Sequence, residues 1–522
     1  MKISSKNGLV GKSYKFPKIT VTGTSNLIMS SVFVRGSHVL KNIGFVNENF
    51  SPGDYVVLYS GSYLPSSEQV SRGVLSAFKK LATNKLNAEI TTSQSKGKYM
   101  GDFIAPRLDK IKIALIGVGY RGQGHIKRFG SIENTEIVAI SDLHEVNISK
   151  GLSIINSLKT SENHKNVKTY WGDENKWKLM LKESNADIVV ISTNWNTHGI
   201  MAVESMKNDL HAFVEVPMAT SIKELWDIVD TSEKYQKHCM MMENVNYGRE
   251  ELMFLNICRK GLIGELLHGE AAYIHDLRWQ MFEEEMGTGS WRTKQYEKRK
   301  GNLYPTHGLG PVSQYMNLLR GEDTFKTLVS FSSPALGRKK FTEKNFDKNH
   351  KWRKLNFQNG DINTSIIKTY LGRTIMVQWD ETSPRPYTRL NLIQGTKGAL
   401  AGGPTRAAFD QGFEGFTKDS KRWVEGEGIQ RLYEKYDHPM YKRLNKITEG
   451  SGHGGMDGMM VYRIIECLRN GNPLDQNVYE GCAWSSLIEL TSNSVNQGGA
   501  PQEFPDFTRG KWVSTKPFNI KP

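Results

Sequence analysis

The chain has 522 residues, 38% of them hydrophobic, with 69 Lys and Arg against 54 Asp and Glu for a net charge of +15. That is enough apolar material for roughly two to four cored domains, while no run approaches the ~18 apolar residues of a membrane span. The charge excess is uneven, since residues 1 to 100 hold 13 basic and 4 acidic side chains, and no zinc-finger spacing, RNA-binding aromatic motif or basic helix accompanies it, which argues against a nucleic-acid partner.

Residues 1–106 form an N-terminal extension without readable chemistry. Short β-like runs at Ile19–Thr22 and Tyr55–Tyr59 sit among Gly, Ser, Pro and Asn, followed by a helical stretch from Ser66 to Ala82 and a polar linker from Thr91 to Lys98. A small β-rich appendage and a partly ordered leader both fit. The first residues lack the apolar core of a signal peptide and carry no twin arginine. Taken as written, the chain is expected in the cytoplasm, or exported if a signal precedes Met1.

From Leu108 the pattern becomes regular. The apolar run Ile111–Ile116, too short for a helix, reads as a buried parallel strand, and a helix can follow Gly122. Between them Gly117, Gly119 and Gly122 make G-x-G-x-x-G. The first glycine allows a tight turn, the second a close approach of backbone to a pyrophosphate, the third close packing of helix on strand. A second β-like run, Glu136–Ser141, ends in Asp142, ~20 residues past the last glycine, where a ribose-binding acid that favours NAD over NADP belongs. Further strands at Val167–Trp171, Asp187–Ser192, His211–Glu215 and His238–Glu243 alternate with helix-length segments, as a doubly wound sheet requires. Residues 107–243 are therefore expected to be an NAD-binding Rossmann domain. Two of its strand-end loops stand out: Thr193–His198 and Glu215-Val216-Pro217.

Residues 244–522 change character. A helix at Arg249–Arg259 leads to strands at Leu266–Ile274, Thr327–Ser332, Ile366–Leu371, Thr374–Trp379 and Arg389–Ile393, which suggest a large open, mainly antiparallel sheet in an α+β domain. A glycine loop, Ser451–Asp457, precedes helices at Met459–Arg469 and Tyr479–Ser492. Cys239, Cys258, Cys467 and Cys482 have no C-x-x-C spacing and read as buried thiols. The histidines are dispersed and Glu283-Glu284-Glu285 reads as a solvated run, so no metal site is expected.

From about Phe103 onward the sequence resembles the Gfo/Idh/MocA oxidoreductase superfamily and, more narrowly, glycoside hydrolase family 109, the NAD-dependent α-N-acetylgalactosaminidases. The motifs that carry this are Gly117–Gly122, Glu215-Val216-Pro217, Glu243-Asn244-Val245, Tyr273–Arg278, Trp291-Arg292-Thr293, Leu303–Gly308, Ser383–Tyr387 and Pro505–Trp512. Sugar dehydrogenases of the superfamily carry Glu-Lys-Pro, whose lysine assists proton transfer; Val216 stands in that place and cannot carry a proton. The resemblance implies NAD contacts from Tyr120, Arg121, Asp142, Trp195, Asn196, Thr197, His198, Glu215, Val216 and Asn244. It implies sugar contacts from Tyr273, Arg292, Tyr304, Pro305, Thr306, His307 and Tyr387. The family's loop after the fourth strand commonly reads Trp-Glu-Trp-His, whereas this chain has Trp195-Asn196-Thr197-His198.

The implied reaction is hydrolysis of a terminal α-N-acetylgalactosamine by oxidation, elimination, addition and reduction around a retained NAD. His307, in a polar turn beside Tyr304, is the first choice for proton transfer because imidazole titrates near neutral pH. The rival functions are an NAD-dependent sugar or cyclitol dehydrogenase of the superfamily, which Val216 opposes, and a non-catalytic NAD-binding sensor. A glycan is the expected partner, and a homo-oligomer stays open.

Overall fold

The apolar run Ile111–Ile116 forms strand β1, with Ile111, Ile113, Ala114 and Leu115 wholly buried because the strand lies inside the sheet with helices on both faces. The structure is a computed structural model that describes residues 97–518 apart from 414–417 and 420, together with the backbone of two parallel two-residue strands, Tyr14–Lys15 and Leu40–Lys41. The expected elements at 19–22, 55–59 and 66–82 lie outside the described residues, as does most of the expected linker at 91–98. Residues 94–522 form one unit.

The chain continues through α1 (Tyr120–Gly130), β2 (Thr135–Asp142), α2 (Glu145–Ser157), β3 (Lys168–Trp171), α3 (Lys176–Glu183), β4 (Ile188–Ile191), α4 (Trp195–Lys207), β5 (His211–Val214), α5 (Ile222–Tyr235) and β6 (Cys239–Met241). The six strands are parallel in the order β3-β2-β1-β4-β5-β6. The order reverses at β1, so a crevice opens at the carboxyl ends of β1 and β4, where such sheets bind ligands. The glycine pattern does there what its spacing demands. Gly117 turns the chain at φ +82°, and a Cβ on Gly122 would stand 2.0 Å from the Gly117 carbonyl oxygen. Backbone on both sides leaves nothing to give. Gly122→Ala is therefore expected to destabilise the fold by about 2 kcal/mol or more, read as a lowered urea midpoint at unchanged slope.

The second half holds α6 (Arg249–Arg259), β7 (Leu266–Ile274), α7 (Thr288–Lys298), α8 (Thr306–Tyr315), β8 (Phe325–Ser332), α9 (Gly337–Asn345), β9 (Ile362–Thr369), β10 (Thr374–Asp380), β11 (Leu392–Gly395), β12 (Gly398–Ala401), β13 (Arg406–Phe409), α10 (Glu427–Tyr436), α11 (Pro439–Thr448), α12 (Met456–Asn470), α13 (Val478–Asn496) and β14 (Gln502–Glu503). Its sheet runs β13-β12-β11-β7-β10-β9-β8-β14, antiparallel except where β7 meets β10. The Rossmann domain and the large, mainly antiparallel sheet thus appear in the expected order. Several boundaries move, and the strand expected at Ile366–Leu371 spans Ile362–Thr369 instead. The strand expected at Arg389–Ile393 begins only at Leu392, because Leu390 and Asn391 take positive φ values of 58° and 54°. The turn expected at Tyr304–His307 is instead the entry to α8, which carries Thr306 and His307 in its first turn.

α13 joins the two halves. Asn477 caps it, accepting from the amides of Tyr479 and Glu480 while Glu480 accepts from the Asn477 amide. Ser485 and Glu489 then accept from the amides of Met218 and Ile222 beyond β5. A fork of two 2.6 Å hydrogen bonds from Arg320 to Glu480 ties the same helix to the chain after α8. All four cysteines are free, three of them buried. No helix among the described residues is long and apolar enough to cross a membrane.

Candidate active site

Where the carboxyl ends of the parallel strands meet the second half, the residues expected around a dinucleotide come together. Gly119 caps α1, and a Cβ there would meet nothing nearer than Asn147 at 3.8 Å, so the backbone of the glycine loop lies open to a ligand. Tyr120 is 96% exposed beside it. Asp142, at the end of β2, accepts from the Val118 amide at 2.8 Å and from Asn147 at 3.0 Å, which holds its carboxylate against the loop. Asn244 is buried with its Oδ1 unpartnered in the protein. An open glycine backbone, an oriented acid and an orphaned acceptor fit a dinucleotide.

Other expected cofactor residues have commitments of their own. Asn194 caps α4 through the Asn196 amide, Thr197 bonds Thr193, and Val216 is buried. Both ring nitrogens of buried His198 face carbonyls, Pro217 O at 2.7 Å and Thr193 O at 3.1 Å, so the fold already occupies them. Arg121 donates to Glu215 at 2.6 Å and to Asp457 at 2.8 Å. Burial would raise the Glu215 carboxyl, but Arg121 and His125 outweigh it and hold that carboxyl well below the usual range. The unfolded chain therefore binds this proton first. The stabilisation is present above the unfolded value near pH 4 and is lost as pH falls towards the folded value. Thermal midpoints taken at decreasing pH should drop below about pH 4, and drop less in Glu215→Gln.

The expected sugar residues form one wall. Trp195, the first residue of α4, meets Trp291 edge-on at 5.0 Å and Tyr304 at 5.9 Å. The buried Arg292 guanidinium lies over both the Trp195 and Tyr304 rings, at 4.6 and 4.8 Å from their centroids. Tyr273, from the end of β7, contacts Tyr304 at 4.6 Å and His307 at 5.4 Å. Half-exposed Tyr387 closes against Tyr273 and His275. Pro305 and Thr306 are buried at the α8 entry, with Thr306 Oγ1 unpartnered. Burial raises the Tyr273 and Tyr304 phenols well above their ordinary value, so both remain protonated donors at neutral pH.

Two carboxylates organise this wall that spacing in the chain could not reveal. Glu243, wholly buried after β6, accepts from His307 Nδ1 at 2.6 Å and from the Val245 amide at 3.1 Å. In the neutral ring, donation from Nδ1 makes His307 Nε2 the nitrogen with a free lone pair. Glu381, also wholly buried, lies 3.0 Å from Arg292 and accepts from the Tyr296 hydroxyl, while Arg338 sits 3.2 Å over the Tyr296 ring. Glu243 stands in a quoted motif but shows its partner only across 64 residues. Among the described residues no cluster of His, Cys, Asp or Glu could hold a metal ion.

A Rossmann crevice facing a wall of tyrosines, arginine and a carboxylate-bound histidine defines an NAD-binding protein of oxidoreductase-like fold. Comparison with known proteins narrows this. The profile described as "Oxidoreductase family, NAD-binding Rossmann fold" matches residues 111–243, and "Glycosyl hydrolase 109, C-terminal domain" matches 247–514. "Glycosyl hydrolase family 109 protein 1" of Akkermansia muciniphila is 57% identical over 424 residues, 81% of this chain and 87% of that protein. The family 109 protein of Shewanella baltica is 48% identical over 464 residues, 89% and 99% of the two chains. The chain belongs to glycosyl hydrolase family 109. Levoglucosan dehydrogenase, solved with NADH and levoglucosan, shares the fold at a TM-score of 0.57 and 14% identity, over 76% of this chain and all of that one.

Proposed function

We propose that this NAD-dependent glycoside hydrolase removes terminal α-linked N-acetylgalactosamine by oxidation, elimination, addition and reduction, with no net redox change. The observation that carries the reading is His307, held by Glu243 at 2.6 Å in a wall with Arg292, Tyr273 and Tyr304. The residues that would hold NAD are the Gly117–Gly122 loop, Asp142 and Asn244. The chemistry bound NAD would supply is reversible hydride acceptance at C3 of the sugar, the O3 proton passing to solvent and returning on reduction, and the resulting ketone acidifies the C2 proton.

This chain's own residues then move protons and hold the ring. His307 Nε2 takes the C2 proton, and Glu243 stabilises the imidazolium that results. The bond from C1 to the aglycone breaks as the C1–C2 double bond forms, its electron pair leaving with the aglycone, which takes a proton from solvent where it needs one; water later adds at C1, giving one proton back to solvent, while the same imidazolium returns a proton to C2. Arg292 forks to the acetamido oxygen or a ring hydroxyl, since Trp195 and Tyr304 fix its plane. Tyr304 and Tyr273 donate hydrogen bonds to sugar oxygens. Val216 in the place of a lysine leaves no second proton carrier there, which supports the glycosidase over a dehydrogenase.

The deciding experiment is hydrolysis of p-nitrophenyl α-N-acetylgalactosaminide in deuterium oxide with no NAD added. Nitrophenol release with deuterium at C2 and no accumulated NADH is expected. Absence of release, together with NADH formed from free sugars and added NAD, would leave the dehydrogenase instead.

A further inference from the structure

The glycine loop Ser451–Asp457 has no part in the chemistry above, yet the chain builds it at unusual conformational expense. Gly452, His453, Gly454 and Gly455 all take positive φ, at 101°, 44°, 69° and 97°. Three of the four are glycines, which take such φ values without strain at a cost in unfolded-chain entropy, while His453 bears the strain itself, so the run needs a reason in the structure. The contacts supply one. A Cβ on Gly452 would stand 2.3 Å from Arg128 Nη2 and 2.6 Å from Asp457 Oδ2, and one on Gly458 would stand 1.8 Å from Ser451 Oγ. The loop thus folds tightly enough to bring the Ser451 carbonyl to Arg128 Nε at 2.6 Å and His453 Nδ1 to Asp457 at 2.8 Å.

At the centre is the Asp457 carboxylate, wholly buried in the first turn of α12. It receives Arg121 at 2.8 and 3.2 Å, Arg128 at 2.9 Å, Asn244 at 2.6 Å and His453 at 2.8 Å. Arg121 and Arg128 lie on α1, the helix that the dinucleotide glycines open, and Asn244 follows β6 at the edge of the same crevice. One carboxylate from the C-terminal helices therefore ties down two of the residues expected around the cofactor and the helix that carries the glycine loop. Burial would raise this carboxyl, but His453 and Arg121 hold it well below its ordinary value, so it stays charged across the neutral range.

We propose that Asp457 is a positioning residue that locks α1 and Asn244 to the C-terminal helices and so sets how slowly bound NAD leaves. The proposal rests on the reading that NAD is retained through turnover. A cofactor regenerated in every cycle gains nothing from exchange, and a crevice whose two sides share a buried charged hub must break several charge-assisted hydrogen bonds before it opens.

The test loads the full-length wild type and Asp457→Asn with isotopically labelled NAD and chases with excess unlabelled NAD. Protein-bound label is followed by mass spectrometry, with the melting temperature recorded for each variant. Asp457→Asn is expected to release NAD about tenfold faster or more, as the loss of charged hydrogen bonds predicts. His453→Ala and Arg128→Met, which each remove one partner and leave Arg121 and Asn244 in place, are expected to give smaller accelerations. They also serve if Asp457→Asn does not fold. A variant-to-wild-type ratio of one in all folded variants overturns the proposal, whatever the wild-type rate. Wild-type exchange as fast as turnover counts instead against the retained cofactor, so the two failures are distinct.

Discussion

Replacing His307 by alanine is expected to lower kcat for the α-N-acetylgalactosaminide by about 10²–10⁴-fold, the range a positioned general base contributes. NAD should stay bound, because His307 belongs to the wall formed by α8 and not to the glycine loop. The C2 position should stop exchanging with solvent deuterium in parallel, since the proton that leaves C2 is the one His307 Nε2 accepts. Glu243→Gln offers the finer test. An amide can still hold the ring through its carbonyl oxygen but cannot stabilise the imidazolium, so kcat should fall while KM changes little. An His307→Ala enzyme that keeps wild-type kcat and C2 exchange would remove histidine from the mechanism.

Arg292→Met is expected to cost both stability and substrate binding. The side chain is buried, its guanidinium is 3.0 Å from Glu381, and Glu381 is wholly buried too. Removing the cation leaves the carboxylate with the Tyr296 hydroxyl and with Arg338 at 3.7 Å. Breaking a buried pair from one side costs about 3–5 kcal/mol, and at two to four degrees per kcal/mol the melting temperature should fall on the order of 10 °C. The control is Arg292→Met with Glu381→Gln, which removes both charges and should recover much of the stability while leaving hydrolysis abolished. Recovery of activity in the double variant would mean that Arg292 serves the fold alone. Differential scanning calorimetry and initial rates on the nitrophenyl substrate separate the two effects.

The wall also explains why the site needs both halves of the chain. Trp195 starts a Rossmann helix, yet its ring packs on Trp291 and Tyr304 of the second half. Glu243 closes the Rossmann sheet and holds the histidine of α8. The cofactor crevice and the sugar wall are therefore parts of one packed cluster, in which Trp195, Tyr273 and Leu303 share a core with Tyr296 and Trp379.

The parallel sheet is legible in the sequence nearly residue by residue. Strands buried on both faces read as short unbroken apolar runs, and a glycine turn between strand and helix has few other uses. The motifs behind the family resemblance also name Arg292, Tyr304 and His307 together, and the fold does bring them side by side. What these side chains do to one another follows from long-range packing. The stretch Tyr304-Pro305-Thr306-His307-Gly308 reads as a rigid polar turn, but from Thr306 onward it is helix α8. A Cβ on Gly308 would stand 2.3 Å from the Ala272 amide nitrogen, so that glycine is there for close packing against β7. The partners of the charged groups were equally out of reach: Glu243 and His307 are 64 residues apart, Arg121 and Asp457 are 336. Local patterning records which face of an element is buried. It does not record which distant charge that burial brings into contact, and in a low-dielectric interior that contact sets protonation, tautomer and strength of hold.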